Sequence, residues 1–525
     1  MLRPIDLGFP ESFTEFRDCQ HEAFEFALTT EKRFVALGIP PGGGKSAVAF
    51  GLAKLFGGRT TILTATHGLE DQYVETLNSD GRTRISHIRG RRNYPCWEGG
   101  NCDDGRRMEC ADKLGCPYLA DLRIFNEGSV GITNYAYWLA VNARGEGVVK
   151  PDTLICDEAG LADSWLSNSL DFRLTERQGR EARLGFGRPG EDIEEWAVLA
   201  PGILERAFAH LTSVQQESKA AGRYVGKDFG RLRRAEEIYE AAYKLSQVSK
   251  SENNWICTRI DGSDEGRMWK FQCVWPGRYK ERLFQGVKRI ILMSATLRPY
   301  TLRLLGIKRD DCDFKEWGRQ FPAANGPVIW IPTVKVIHDE KMSNEDRQAW
   351  IDRHHEIFTW GNDRNGLTHT ISYQRARQIN DALGSSFPLV LNGAADPESQ
   401  SAREAFEKFK GSVKPSVLVS PSFGTGWDFA GRIAEWQVLS KMPILPPTDK
   451  LVKARSDQDR DYPWYKAGQE LVQACGRINR FAEDRGTTLI VDNQIQWLVR
   501  AAGEHIPRWF KFRKEEQLPR PLEKL

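Results

Sequence analysis

No window of the chain approaches the run of about 18 apolar residues that a membrane-spanning helix requires. The opening MLRPIDLGFPESF has neither the basic start nor the apolar core of a secretory signal. A cytoplasmic protein without a membrane partner is therefore expected, nucleoid-associated if prokaryotic or phage-encoded. Charge of one sign is not in excess: 74 basic against 71 acidic residues leave a net +3, so any basic surface must be local. Repeats and low-complexity tracts are missing, which argues against a solenoid or a disordered chain. A disulfide framework is missing too, because the ten cysteines are few for so long a chain and four of them crowd between Cys96 and Cys116. That crowding points to a metal site.

What is present is an ordinary folded composition, 40% hydrophobic and 28% charged, over 525 residues, enough for several cores. Apolar runs at Phe34–Leu37, Thr61–Thr64, Thr153–Cys156, Arg289–Met293, Val417–Val419 and Thr488–Val491 read as buried strands alternating with helices, the pattern of a parallel α/β fold. Two stretches break the alternation. Residues 81–126 are rich in Arg, Gly and Cys, and residues 162–251 carry apolar positions at helical spacing, such as Trp196, Leu199 and Ile203, then Leu232, Ala235 and Ile238. Both are expected to be insertions in one α/β domain.

The first strand runs into Ile39-Pro40-Pro41-Gly42-Gly43-Gly44-Lys45-Ser46 and then an apolar-periodic helix. This order is that of a phosphate-binding loop: Pro41 and the glycines let backbone N–H groups converge on phosphates at a helix N-terminus, Lys45 neutralises their charge, and Ser46 offers a hydroxyl to Mg²⁺. Ile39 stands where the pattern has its first glycine. An ATP-splitting site also needs carboxylates, and a second apolar strand ends in Asp157-Glu158-Ala159-Gly160. Asp157 is the candidate metal ligand and Glu158 the candidate base for the attacking water.

Downstream follow Ser294-Ala295-Thr296-Leu297, Gly426-Trp427-Asp428 and Gln473-Ala474-Cys475-Gly476-Arg477-Ile478-Asn479-Arg480. With these the chain resembles a superfamily 2 helicase. The resemblance implies two RecA-like motor domains with ATP between them, Gln473, Arg477 and Arg480 acting on the γ-phosphate from the second, and Arg480 as the arginine finger. It further implies that Gln20 reads adenine, that Gly426 and Asp428 belong to the nucleotide site, that Ser294 and Thr296 couple hydrolysis to DNA grip, and that Thr66 and His67 hold the nucleic-acid backbone. Motif II reads DEAG where such helicases have DEAH, so Gly160 lacks the imidazole that ordinarily bonds across to the coupling motifs.

The cysteines fall as Cys96, Cys102, Cys110 and Cys116. Four thiolates in this span suit either tetrahedral Zn²⁺ or a [4Fe–4S] cluster. The entry Gly90-Arg91-Arg92-Asn93-Tyr94-Pro95-Cys96 and the exit Cys116-Pro117-Tyr118 resemble the XPD/DinG branch, which implies the iron-sulfur cluster, with zinc as the alternative. Arg82, Arg84, Arg89, Arg91 and Arg92 with Tyr94 form a basic stretch with an aromatic, either a solvated charge run or a single-strand contact. Asn134 and Tyr135, after the next strand, resemble the branch's TN(Y/H) element and are further DNA candidates, although Tyr135 could equally be core.

The resemblance divides the chain into a first RecA-like domain of 1–80, 127–161 and 252–305, an iron-sulfur domain of 81–126, a helical arch of 162–251 and a second RecA-like domain of 306–525. It implies a monomeric ATP-dependent DNA helicase that moves 5′ to 3′ on single-stranded DNA and opens duplex or forked DNA. The alternative is a single-strand translocase that displaces proteins without much unwinding. A small-molecule phosphotransferase would leave the later motifs without purpose, and a zinc-bearing scaffold with a vestigial ATPase would rest on Ile39 and Gly160.

Overall fold

The computed structural model describes residues 2–520 except 82–84, 98–99, 108–109, 111–114, 146, 188, 221–226, 249–253, 397, 399, 424–426, 428, 430, 432 and 480–483. The expected sites Gly426, Asp428 and Arg480, with Arg82 and Arg84, lie outside the described residues.

Strands β1 (Phe34–Gly38), β2 (Thr60–Thr64), β3 (Ser86–His87), β4 (Val130–Asn134) and β5 (Thr153–Asp157) come first in the chain. Next are β6 (Phe172–Thr175), β7 (Trp255–Ser263) and β8 (Gly266–Cys273), then β9 (Arg289–Met293) and β10 (Cys312–Glu316). All but β6–β8 form one seven-stranded sheet in the order β10-β1-β9-β5-β2-β4-β3, every pairing parallel. Its central strands β1, β2, β4 and β5 are buried along their whole length, because helices cover both faces.

A second parallel sheet of seven strands follows: β11 (Val328–Val334), β12 (Gly366–His369), β13 (Leu389–Val390), β14 (Val417–Ser420), β15 (Trp436–Leu439), β16 (Thr487–Asp492) and β17 (Arg513–Lys514), ordered β13-β14-β12-β15-β16-β11-β17. Two doubly covered parallel sheets make the expected pair of RecA-like domains. Among the described residues, no helix is long and apolar enough to cross a membrane.

The expected domain limits need three corrections. β10 pairs with β1, so the first domain continues to Glu316, past the expected end at 305. β3 pairs with β4, so Ser86 and His87 belong to the first sheet and not to the cysteine-rich segment. The insertion expected to be helical does hold the helices Ile193–Ala220 and Lys227–Val248, but β6, β7 and β8 add an antiparallel sheet of their own, which moves residues 255–273 from the first motor domain into the arch. An aromatic cluster holds it: Trp196 meets Phe271 edge-on at 5.0 Å and Phe172 stacks on Phe271 at 4.6 Å. Phe208, on the helix Ile193–Ala220, is exposed.

Candidate nucleotide and nucleic-acid site

The loop after β1 turns sharply into the helix Lys45–Phe56 because Gly42 and Gly44 both take φ of 74°, a left-handed conformation open to glycine. Gly43 N–H closes the turn on the Pro40 carbonyl at 3.1 Å. Lys45 Nζ lies 3.4 Å from Glu158 Oε1, so in this state the lysine holds the carboxylate that would act as base. Glu158 has φ of 52°, uncommon for a residue with a side chain, and this places its carboxylate between Lys45 and the third strand end. From there Ser294 Oγ donates to Glu158 Oε2 at 3.0 Å and contacts Thr296 Oγ1 at 3.3 Å.

Asp157 is buried at the end of β5. Burial, then the neighbouring Glu158 charge, pushes its carboxyl up to about 6, while Lys45 pulls the other way. Its partner is a residue the sequence did not single out. Tyr73, on the helix His67–Leu77, donates from its hydroxyl to Asp157 Oδ2 at 2.9 Å and also bonds Ser46, so one phenol spans both candidate Mg²⁺ ligands. Burial beside Asp157 drives the Tyr73 hydroxyl far above its ordinary range, which keeps it protonated as a donor. Nothing in a helix sequence says which way a tyrosine points, so only the fold could show this.

Gln20, the expected adenine contact, lies against the phosphate loop. It is 5% exposed, its carbonyl caps the Arg17 N–H at 2.9 Å, and its amide reaches the Gly43 carbonyl at 3.3 Å. It supports the loop from beneath. Arg17 bonds the Gly42 carbonyl in the same way.

The second domain meets this site through the helix Tyr462–Cys475. Gly476 is so close that a side-chain carbon on it would lie 3.3 Å from Pro41 Cγ. Gln473 Nε2 approaches Thr296 Oγ1 at 3.4 Å, and Gln469 Nε2 donates to the Thr296 carbonyl at 3.3 Å. Arg477 is buried and donates to the Trp427 carbonyl at 3.2 Å. The glycine in DEAG now has a reason: a side-chain carbon at Gly160 would sit 2.8 Å from Thr296 Oγ1 and 3.2 Å from both Ser294 Oγ and Gln469 Nε2. Thr296 and Gln469 fill the space of an imidazole, and the cross-domain contact runs between them directly.

Toward the nucleic-acid side, Thr66 caps the helix His67–Leu77 by accepting from Leu69 N–H. A fully buried carboxylate, Glu70, gathers the candidates: His67 Nδ1 donates to it at 2.6 Å, Arg89 Nε at 3.1 Å and Asn134 Nδ2 at 3.2 Å. Tyr135 is core: it is fully buried, and its hydroxyl donates to the Asp157 carbonyl at 3.0 Å, so its ring cannot stack on a base. Tyr94 is likewise engaged, edge-on to Tyr118 at 5.5 Å with its oxygen accepting from Arg89 N–H. Arg91 lies over the Tyr118 ring at 4.1 Å, and Arg92 is largely exposed. The exposed aromatic is Trp97, 76% accessible beside Cys96, which the sequence reading passed over because one tryptophan in a cysteine-rich loop has no periodicity.

Two of the four cysteines form a close pair, and the other two flank Gly105. Cys102 and Cys116 Sγ atoms are 3.8 Å apart, and a side chain on Gly105 would collide with Cys96 Sγ and lie 3.6 Å from Cys110 Sγ. Gly105 thus keeps open a space that sulfur atoms line, as a four-thiolate group needs. Burial pushes the Cys102 thiol up to about 11, with Arg91 opposing, so ionising it would call for a cation. Among the described residues, no three His, Cys, Asp or Glu side chains are gathered tightly enough to hold an ion. The other six cysteines are buried, as expected of small apolar residues.

Three strand ends that present a phosphate loop, a carboxylate pair and a serine to a helix from a second RecA-like domain are the parts of a two-domain P-loop motor. Residues 359–513 match the family described as the helicase C-terminal domain. The fold is similar to an XPD helicase at TM-score 0.64 and 17% identity, over 93% of this chain and 98% of that one. It is also similar to Xpd4 of S. tokodaii at 0.56 and 14%, over 93% and 99%. In sequence, 136 residues are 26% identical to the ATP-dependent DNA helicase YoaA of Escherichia coli (strain K12), a match that spans 24% of this chain and 20% of that relative. In fold the chain is similar to XPD helicases, and its second RecA-like domain carries the helicase C-terminal family match.

Proposed function

We propose that the protein is an ATP-dependent DNA helicase that moves 5′ to 3′ along single-stranded DNA and separates duplexes. The observation that carries this reading is the composite site: Lys45, Asp157 and Glu158 belong to one domain, and from the other Gly476 lies against Pro41 of the phosphate loop and Gln473 against Thr296. ATP bound on the Gly42–Ser46 loop would draw Lys45 from Glu158 to the phosphates and leave that carboxylate to orient and deprotonate water. Mg²⁺ held at Ser46 and Asp157 would offset phosphate charge. Arg477, with Arg480, Gly426 and Asp428 beyond the described residues, would complete the site on closure. Ser294 links Glu158 to Thr296, and Thr296 meets Gln469 and Gln473, so the state of the nucleotide would reach the domain interface through four short contacts.

Single-stranded DNA would run past Thr66, His67, Asn134 and Arg92 toward Trp97, whose exposed ring is suited to stacking on a base. Cys96, Cys102, Cys110 and Cys116 would hold a [4Fe–4S] cluster that rigidifies this small domain, zinc being the alternative. Iron and sulfide content of protein purified without oxygen, against zinc content, decides between them. Replacing Trp97 by Ala should weaken single-strand affinity by about 1–3 kcal/mol, measured by fluorescence anisotropy.

The deciding experiment is strand displacement on duplexes bearing either a 5′ or a 3′ single-stranded tail. Opening of the 5′-tailed substrate alone supports the proposal, and opening from the 3′ tail refutes its polarity. DNA-stimulated ATP hydrolysis with neither substrate opened would replace it with the translocase reading.

A further inference from the structure

The arch is inserted in the first motor domain by chain connectivity, yet the second domain grips its base. Arg455, on the helix Lys450–Gln458, is 4% exposed and reaches across the boundary. Its Nε donates to the Val274 carbonyl at 2.7 Å, Nη1 to the Tyr462 hydroxyl at 2.7 Å, and Nη2 to Ser167 Oγ at 2.9 Å and the Cys273 carbonyl at 3.0 Å. A buried guanidinium is costly unless its donors are satisfied, and here carbonyls and hydroxyls from three separate elements satisfy them. Those elements matter. Ser167 lies on the helix Ala162–Leu170, which begins just after Glu158; Cys273 ends β8 of the arch and Val274 follows it; and Tyr462 opens the helix that carries Gln469 and Gln473.

Around this point, Lys466 Nζ pairs with the buried Asp163 at 2.8 Å and Lys450 pairs with Glu191 of the arch, while from the first motor domain Tyr300 Oη donates to Asp459 at 2.8 Å and Trp275 Nε1 donates to Gln458. At its far side the arch touches the cysteine domain, where Arg107 Nε donates to Glu236 Oε2 at 2.7 Å.

We propose that Arg455 is a positioning residue that makes the arch a lever of the second motor domain, so that closure of the nucleotide cleft moves the arch against the cysteine domain at the Arg107–Glu236 contact. This rests on the helicase reading, in which the moving gate separates strands. Three dye-labelled positions test it, introduced as encoded non-natural residues so that the cysteines are untouched: Val198 on the arch, Val413 on the second domain and Glu31 on the first, all exposed. On adding Mg²⁺ and a non-hydrolysable ATP analogue, energy transfer between positions 198 and 413 should stay constant while that between 198 and 31 changes. In Arg455→Met both pairs should change.

Arg455→Met should keep single-strand-stimulated ATP hydrolysis within about twofold while base pairs opened per ATP fall about tenfold, with partial recovery in Arg455→Lys. Tyr462→Phe, which removes one acceptor and keeps the packing, should show the same split more weakly and covers the case in which Arg455→Met does not fold. A 198–413 distance that shifts with nucleotide in the wild type overturns the lever. So does equal loss of hydrolysis and opening in folded Arg455→Met. A wild type that hydrolyses ATP and opens no duplex would refute the helicase reading alone, and the distance measurement would still decide the lever.

Discussion

In the first sheet, the ends of β1, β5 and β9 deliver Lys45, Asp157 with Glu158, and Ser294 to one cleft, and charge sits where water and nucleotide can reach it. In the second sheet, buried histidine and glutamine side chains bond to one another and to the backbone. His369, at the end of β12, donates to Gln437 at 3.1 Å, and Gln437 in turn donates to the carbonyls of Ala474 and Cys475 at 3.0 and 3.2 Å, which fixes the end of the helix bearing Gln473. His354 bonds the Trp350 carbonyl at 2.7 Å and Ser440 Oγ at 2.8 Å. Two sheets of the same architecture are thus specialised differently. The first holds the reacting charges, and the second is a rigid mount that presents a helix end to them.

The largest expected effect sharpens that division. Lys45→Ala should lower ATP hydrolysis by about 10²–10³-fold with no change in thermal midpoint, because it removes a charge from the cleft and nothing from the core. A comparable loss from a substitution in the β12 region at unchanged stability would break the comparison.

Acid should act on the second domain instead. Burial holds His354 and His369 down to about 4, below the ordinary value near 6.5 of the unfolded chain. The unfolded state therefore takes up protons that the folded state refuses, and stability is full above pH ~6.5 and lost as the pH falls from there toward ~4. At pH ~5 the loss is about 2 kcal/mol per histidine. Hydrogen exchange at pH 5 against pH 7.5 should show it in the amides of β12 and β15 ahead of β1 and β5, and equal weakening of both sheets would contradict the assignment.

Restoring the more usual residue should harm this chain. Gly160→His has no free space beside Thr296 and Gln469, so about 1–3 kcal/mol of stability should be lost, and DNA stimulation of hydrolysis should fall rather than rise. The smallest effect belongs to Tyr73→Phe, which removes one hydroxyl between Ser46 and Asp157. About 1 kcal/mol, or a several-fold higher Mg²⁺ requirement for hydrolysis, is expected at unchanged fold.

The sequence was most legible where local pattern and chemistry coincide. The strands at Phe34, Thr61, Thr153 and Arg289 were placed to within a residue, and the glycines before Lys45 announced their own backbone. It was least legible where a side chain's direction decides its role. Tyr135 follows a strand in the position of a DNA contact yet turns inward to Asp157, and Trp97 points outward without periodicity. β10 was missed because its partner β1 lies far away in the chain and the short run Cys312–Glu316 carries little apolar signal, and the β7–β8 hairpin because charged residues such as Arg259, Asp261, Arg267 and Lys270 interrupt its apolar positions.

The central claim is that the second domain completes chemistry whose charges the first domain holds. Single-turnover ATP hydrolysis beside nucleotide affinity in Arg477→Ala tests it most directly. The account predicts affinity within about threefold of wild type and hydrolysis slower by about 10²–10³-fold, since a guanidinium from the facing domain acts on the transition state. Unchanged hydrolysis would contradict it.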